Sequence, residues 1–137
     1  MSYGYKKRIE LSYENTIIKV KEELSKEGFG ILTQIDVKST LKKKINVEFD
    51  NYIILGACNP PFAHKALLAE RDIGLLLPCN VIIYEQDGNV YASAIVPSVA
   101  MGMVNNSQLQ EIAKQVEEKL KKVIDIIAIK EVNNNDV

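Results

Sequence analysis

The residues of this chain best suited to chemistry are two cysteines, each followed by an asparagine. They occur as Cys58-Asn59, at the end of an apolar run, and as Cys79-Asn80, just before another apolar run. The only histidine, His64, lies between them. A thiolate can serve as a nucleophile, a redox group or a soft metal ligand, and a side-chain amide can orient a bound molecule. We therefore take Cys58, Asn59, His64, Cys79 and Asn80 as candidate ligand-binding residues.

Each candidate also has a structural explanation. Buried cysteine commonly serves as a small apolar residue, and asparagine at the end of an element commonly caps a helix or completes a turn. The cysteines are not spaced as C-x-x-C, and one histidine cannot complete a familiar zinc set, so we assign no metal site. The G-x-S-x-G elbow of many hydrolases is missing from the sequence. Catalytic residues and cofactors therefore stay unknown, and no enzyme class is favoured.

The first cysteine ends a predicted strand that leads directly into a helix. The apolar run Tyr52–Cys58 is typical of a buried strand. Asn59 stands at the N-cap position of a helix over 61–70, because Pro60 and Pro61 suit a first helical turn, whose amides would lack partners. The first cysteine and its asparagine are thus expected at a junction between two elements, where binding sites are often built.

The second cysteine precedes a predicted β-hairpin. Pro78 ends a short turn, and a strand then runs over 81–85. Asp87-Gly88 separates this strand from a second one over 90–95, which is a strong signal for a tight antiparallel hairpin. We expect the two Cys-Asn pairs to lie near each other at one boundary of the sheet.

Further strands and helices are predicted on either side of this segment. Ser12 is a plausible N-cap for a helix that ends at Gly28. Asp36 caps a short helix, and Ser107 with Gln110 forms a capping box for the last helix. The remaining predicted elements are strands over 5–11 and 29–35 and an apolar helical stripe that continues to Ile127.

Length and composition indicate one α+β domain. The chain has 137 residues, of which 47% are hydrophobic and 26% charged, and this is enough to fold around a core without disulfides. About five strands interleaved with helices predict a single sheet that contains an antiparallel hairpin and carries helices mainly on one face. We place this domain at 1–130 and expect 131–137 to be a frayed polar tail.

The charge and hydropathy pattern excludes several partners. Seventeen basic and eighteen acidic residues give a net charge of −1, which provides no field to attract nucleic acid. No run approaches the roughly 20 apolar residues that cross a bilayer. The first residues lack the apolar segment of a secretory signal, so we expect a cytoplasmic protein with free thiols.

The central segment resembles the family catalogued as domain of unknown function 302. The resemblance is carried by Leu55-Gly56-Ala57-Cys58-Asn59-Pro60-Pro61, by Ala63-His64-Lys65-Ala66-Leu67 and by Gly74-Leu75-Leu76-Leu77-Pro78-Cys79-Asn80-Val81. It implies a small α+β fold with a tendency to form homodimers, and it implies no established reaction.

The sequence supports two hypotheses of function. The first is a homodimeric protein that binds a small molecule, or interacts with a partner, through a pocket near Cys58-Asn59-Pro60 and Pro78-Cys79-Asn80. The alternative is a thiol-based redox, sulfur-carrier, metal-binding or haem-binding protein that uses Cys58, Cys79 and His64.

Overall fold

The structure is a computed structural model that describes residues 2–129. It contains a five-stranded sheet, five α-helices and one 3-10 helix. The strands are β1 (Gly4–Ile9), β2 (Gly30–Asp36), β3 (Tyr52–Cys58), β4 (Cys79–Gln86) and β5 (Asn89–Ile95). The helices are α1 (Tyr13–Lys26), α2 (Val37–Ile45), α3 (Pro60–Ala69), α4 (Pro97–Ala100) and α5 (Ser107–Ala128), and the 3-10 helix covers Arg71–Leu76. The predicted polar tail lies outside the described residues.

All neighbouring strands of the sheet are antiparallel, in the order β1-β5-β4-β3-β2. The predicted hairpin joins β4 to β5, with Gln86 opposite Asn89. Its two turn residues, Asp87 and Gly88, have φ angles of 52° and 80°. Positive φ at both positions is what a tight hairpin turn requires. The predicted α+β fold and its hairpin are confirmed.

One face of the sheet is covered by helices and forms the core. The inward residues of β3 and β4 alternate with outward ones, as the two-residue period of a strand requires. Leu55, Val81 and Ile83 are fully buried against Leu24 of α1 and Leu120 of α5. This cluster is the main hydrophobic core, and it fixes the position of β3 and β4.

A second, smaller core lies beyond the end of the sheet. It consists of Ala66 from α3, Ile73 from the 3-10 helix, Met101 after α4, and Leu109 and Ala113 from α5. The N-terminus of α5 is capped by Asn106, whose side chain accepts a hydrogen bond from the Leu109 amide at 3.0 Å. The prediction of Ser107 as the cap is wrong by one residue, because the asparagine before it takes that place.

The opposite face of the sheet is rich in aromatic residues. Tyr52, Tyr84 and Tyr91 stack across three strands, with 5.3 Å between successive ring centroids. Phe49 lies beside Tyr52 at 6.3 Å. The adjoining helix α2 contains no buried residue at all. We refer to the outward residues of β3, β4 and β5, with Phe49 and Ile35, as the open face.

Candidate functional site

The ends of β3 and β4 bring the two Cys-Asn segments together. In the register of these strands Ala57 lies opposite Cys79 and Gly56 lies opposite Asn80. β3 then ends at Cys58, and α3 begins two residues later with Pro60. The expected proximity of the two Cys-Asn segments is confirmed, and their meeting point lies between the two hydrophobic cores.

A cavity of about 300 Å³ opens at this meeting point. Its floor is formed by residues of the main core, among them Phe29 and Cys79, and its far wall by Ala113 and Met101 of the second core. The full lining comprises Phe29, Leu32, Ala57, Cys58, Asn59, Phe62, Ala63, Ala66, Leu67, Gly74, Leu77, Pro78, Cys79, Pro97, Met101, Ile112, Ala113 and Val116. Cavities of this size and apolar character are typical of small-molecule sites.

The exposed members of the lining mark the opening of the cavity. Leu32, at an irregularity in the pairing of β2 with β3, is 65% exposed, and Leu67 on α3 is 37% exposed. Gly74 of the 3-10 helix is also exposed. The cavity therefore opens between β2, α3 and the 3-10 helix.

A glycine allows the strands and the following turn to approach closely here. Gly56 lies on β3 between Thr33 of β2 and Pro78. A Cβ atom on Gly56 would overlap Thr33 Oγ1 and would lie 2.8 Å from Pro78 Cγ. Any other residue would thus have to displace the Thr33 side chain and the Pro78 ring, next to the segments that carry Cys58 and Cys79.

Asn59 occupies the N-cap position of α3, as predicted, but its side chain does not cap the helix. Its Nδ2 donates a hydrogen bond of 3.0 Å to the carbonyl oxygen of Glu27, at the end of α1. Gly28, with φ of 89°, follows and leaves room for the amide, since a Cβ there would lie 3.1 Å from Nδ2. Asn59 is only 8% exposed and thereby ties the end of α1 to the start of α3.

The two cysteines differ in their environment. Both are free thiols that line the cavity. Cys79 is 8% exposed, and its burial raises the pKa of the thiol to about 11, with a smaller contribution from the neighbouring Cys58. Cys79 is therefore a protonated, neutral group at physiological pH. Cys58 is half-buried and is the more accessible of the two.

The other two candidate residues do not line the cavity. His64 is exposed on the outer side of α3. Asn80 is exposed on the open face, in a shallow groove with Tyr52 and Ile82. The structure thus brings Cys58, Asn59 and Cys79 together and separates His64 and Asn80 from them.

Comparisons with known proteins agree with this architecture. The profile of the family described as "Domain of unknown function DUF302" matches residues 5–127. The chain belongs to this family. A crystal structure of an uncharacterized conserved DUF302 protein from Bacillus stearothermophilus is similar over 93% of this chain and 99% of that one. The sequence identity is 30% and the TM-score is 0.88. No curated protein matches the sequence.

Sequence reasoning missed the part of the DUF302 cavity that comes from the C-terminal helices. Pro97 and Met101 lie at α4, and Ile112, Ala113 and Val116 lie on α5. Their apolar stripe predicts a core-facing helix equally well, so nothing in the pattern distinguishes cavity wall from core. The small side chain of Ala113 is the one local signal, because a small residue in an apolar stripe leaves space beside the helix.

The described part of this DUF302 chain contains neither a metal-binding cluster nor a membrane-spanning helix. Within residues 2–129, no three His, Cys, Asp or Glu side chains are grouped in a way that could hold a metal ion. Over the same residues, no helix has both the length and the apolar character needed to cross a membrane.

Proposed function

We propose that this DUF302 protein binds a small, mainly apolar molecule in the cavity between α3, α5 and the ends of β3 and β4. The observation that carries the proposal is the cavity itself, since about 300 Å³ of apolar space lies between two well-packed cores. Packed interiors leave few voids larger than a water molecule, so a space of this size with an opening is consistent with a binding site.

The volume suggests the size of the ligand. An engineered apolar cavity of about 150 Å³ binds benzene, and a water molecule occupies about 30 Å³ in the liquid. The cavity of about 300 Å³ therefore has room for a molecule of about ten non-hydrogen atoms.

Titration with propylbenzene tests the proposal. We expect saturable binding by calorimetry and a higher melting temperature at saturation, because a ligand that binds only the folded state stabilises it. Ala63→Leu fills part of the cavity and should weaken binding at least about tenfold. Ala69→Leu is the matched control, because Ala69 is a half-buried alanine of the same helix that does not line the cavity. Absence of binding to the wild-type protein would refute the proposal.

The thiol alternative has weaker support. Cys79 is buried, and the raised pKa of its thiol leaves almost no thiolate at neutral pH. His64 is exposed and lies outside the cavity lining, so it is poorly placed to activate either cysteine there. The free thiols are consistent with a reducing, cytoplasmic location.

We further propose that the protein is a homodimer in which the open face packs against a second copy. A sheet face exposed to water normally carries polar residues, which alternate along each strand with the apolar residues of the buried face. The open face instead carries tyrosines together with Ile54 and Ile82. Phe49 and Ile35 remain 43% and 45% exposed. The open face is part of the outward side of the whole sheet, whose five strands of six to eight residues cover roughly 550 Å² at about 4.8 Å per strand and 3.3 Å per residue.

This area is about two thirds of what a standard interface buries on each partner. A standard interface buries about 800 Å² on each partner, and Phe49 with the exposed side of α2 extends the sheet face toward that value. Light scattering after gel filtration should give twice the chain mass. Ile82→Glu, at the centre of the open face, should give the monomer mass, while Ile18→Glu on α1 should not. A monomeric wild-type protein would contradict the dimer and leave the cavity proposal intact.

A further inference from the structure

The cavity has one polar end, which Asn59 provides. Asn59 Nδ2 donates to the Glu27 carbonyl oxygen, and since a carbonyl can only accept, the orientation of the amide is fixed. Asn59 Oδ1 accepts no hydrogen bond from any residue in 2–129. No side-chain oxygen or nitrogen in that range is both sealed off and unpaired. Asn59 Oδ1 therefore keeps access to open space, and Asn59 lines the cavity.

The first turn of α3 also contains an amide donor without an acceptor among the described residues. The first two residues of α3, Pro60 and Pro61, have no amide hydrogen, and the Ala63 amide donates to the Asn59 carbonyl at 2.9 Å. The Phe62 amide has no acceptor among the described residues. In an ordinary capped helix the N-cap side chain accepts from this third amide, so both groups belong to the same end of α3.

No acidic or basic residue among those described lines the cavity. Its lining contains no Asp, Glu, Lys, Arg or His from the described residues, and the Cys79 thiol is protonated at neutral pH. The ammonium groups of Lys65 and Lys119 lie 5.8 and 6.0 Å from the Phe62 ring centroid, but neither lysine lines the cavity. Burial of an anion in such a site would carry a large desolvation cost.

We propose that the cavity selects a neutral molecule of about ten non-hydrogen atoms that carries one hydroxyl group. The hydroxyl donates to Asn59 Oδ1 and accepts from the Phe62 amide, and the apolar remainder occupies the space toward Met101 and Ala113. A hydroxyl fits because it can donate and accept at once, whereas an ether can only accept. This inference rests on the proposed binding function and specifies its ligand class.

Two isomeric probes separate the hydroxyl from the apolar contribution. 4-Propylphenol and 4-ethylanisole have the same composition, but only the phenol can donate a hydrogen bond. At pH 7.5 the phenol is neutral, because phenolic groups have a pKa of about 10. We expect calorimetry to show about fivefold tighter binding of the phenol, which corresponds to one net hydrogen bond. In Asn59→Leu, which keeps the side-chain size, both isomers should bind equally.

The outcomes distinguish the two proposals. Equal binding of both isomers to the wild-type protein, together with binding of propylbenzene, would overturn the hydroxyl selectivity and keep the apolar site. Tighter binding of 4-ethylbenzoate than of 4-propylphenol would overturn the selectivity for a neutral ligand. Failure of all these probes to bind would refute both proposals. If Asn59→Leu does not fold, the comparison of the isomers on the wild-type protein still decides the question.

Discussion

Replacement of Gly56 by alanine should destabilise the protein strongly for so small a change. Gly56 lies on β3, one strand in from the β2 edge, and a Cβ atom there would overlap Thr33 Oγ1 and lie 2.8 Å from Pro78 Cγ. The threonine side chain is stiff because it is branched at Cβ, and the proline ring is rigid. The proline ring cannot yield without its backbone, and the Thr33 side chain can yield only by changing its rotamer.

The expected loss combines two opposing effects. Overpacking of a tight site typically costs about 1–3 kcal/mol, and a forced change of the Thr33 rotamer alone accounts for about 1 kcal/mol. Alanine otherwise stabilises a chain relative to glycine by about 0.5–1 kcal/mol, because the unfolded state is less flexible. We therefore expect Gly56→Ala to lower the free energy of unfolding by about 2 kcal/mol.

Urea denaturation of matched variants measures this loss. Gly30→Ala is the control, because Gly30 is also a strand glycine and a Cβ there meets no atom within 4 Å. It should leave the stability unchanged or raise it by up to about 1 kcal/mol. The double variant Gly56→Ala/Thr33→Ala should recover part of the loss, since it removes one of the two clashes. A stability of Gly56→Ala equal to that of Gly30→Ala would refute the reasoning.

Three further predictions concern ionisable groups. Burial raises the pKa of the Cys79 thiol from 9.0 to about 11, so its protonated form stabilises the fold below pH 9 and this contribution is lost as the pH rises toward 11. In urea titrations the fall in stability from pH 8 to 11 should be about 2 kcal/mol smaller in Cys79→Val, and an equal fall would contradict the assignment. A thiol reagent at pH 7.5 should label Cys58 alone in the native protein, and mass spectrometry showing two labels would argue against a buried Cys79. Burial raises the pKa of Glu117, but hydrogen bonds from the Ser98 amide and from Lys121 outweigh it and lower the pKa overall. Glu117→Ala should therefore cost about 2 kcal/mol at pH 7, and Glu117→Gln, which can still accept from Ser98, clearly less; equal losses in both would contradict this role.

Local rules of the chain were sufficient for most of the fold. The apolar run of β3, the Asp87-Gly88 turn and Gly28 at the end of α1 are each determined by neighbouring residues, and the structure contains all three as expected. Positive φ at Asp87 and Gly88 follows from the turn type, which needs no knowledge of the rest of the molecule. The cap of α1 at Ser12 is of the same kind, since its hydroxyl accepts from the Asn15 amide three residues later.

The cavity could not be predicted in the same way, because it depends on distances between distant segments. Met101 and Val116 reach the neighbourhood of Cys79 only after the chain has passed through β5 and α4. Their apolar character is equally compatible with a filled core and with a cavity wall. Whether a cavity forms depends on how closely α3 and α5 approach each other. The spacing of residues along the sequence does not determine that distance.

Asn59 shows how a local rule can be correct in position and incomplete in chemistry. The sequence placed it at the N-cap of α3, and the backbone confirms that position. A cap would have joined Asn59 Oδ1 to the Phe62 amide, leaving both groups satisfied and the cavity without any polar contact. Instead, the Glu27 carbonyl oxygen at the end of α1 accepts a hydrogen bond from the side-chain nitrogen of Asn59. The tertiary contact therefore leaves an acceptor and a donor free at the cavity, and this departure from the local rule gives the site its proposed selectivity.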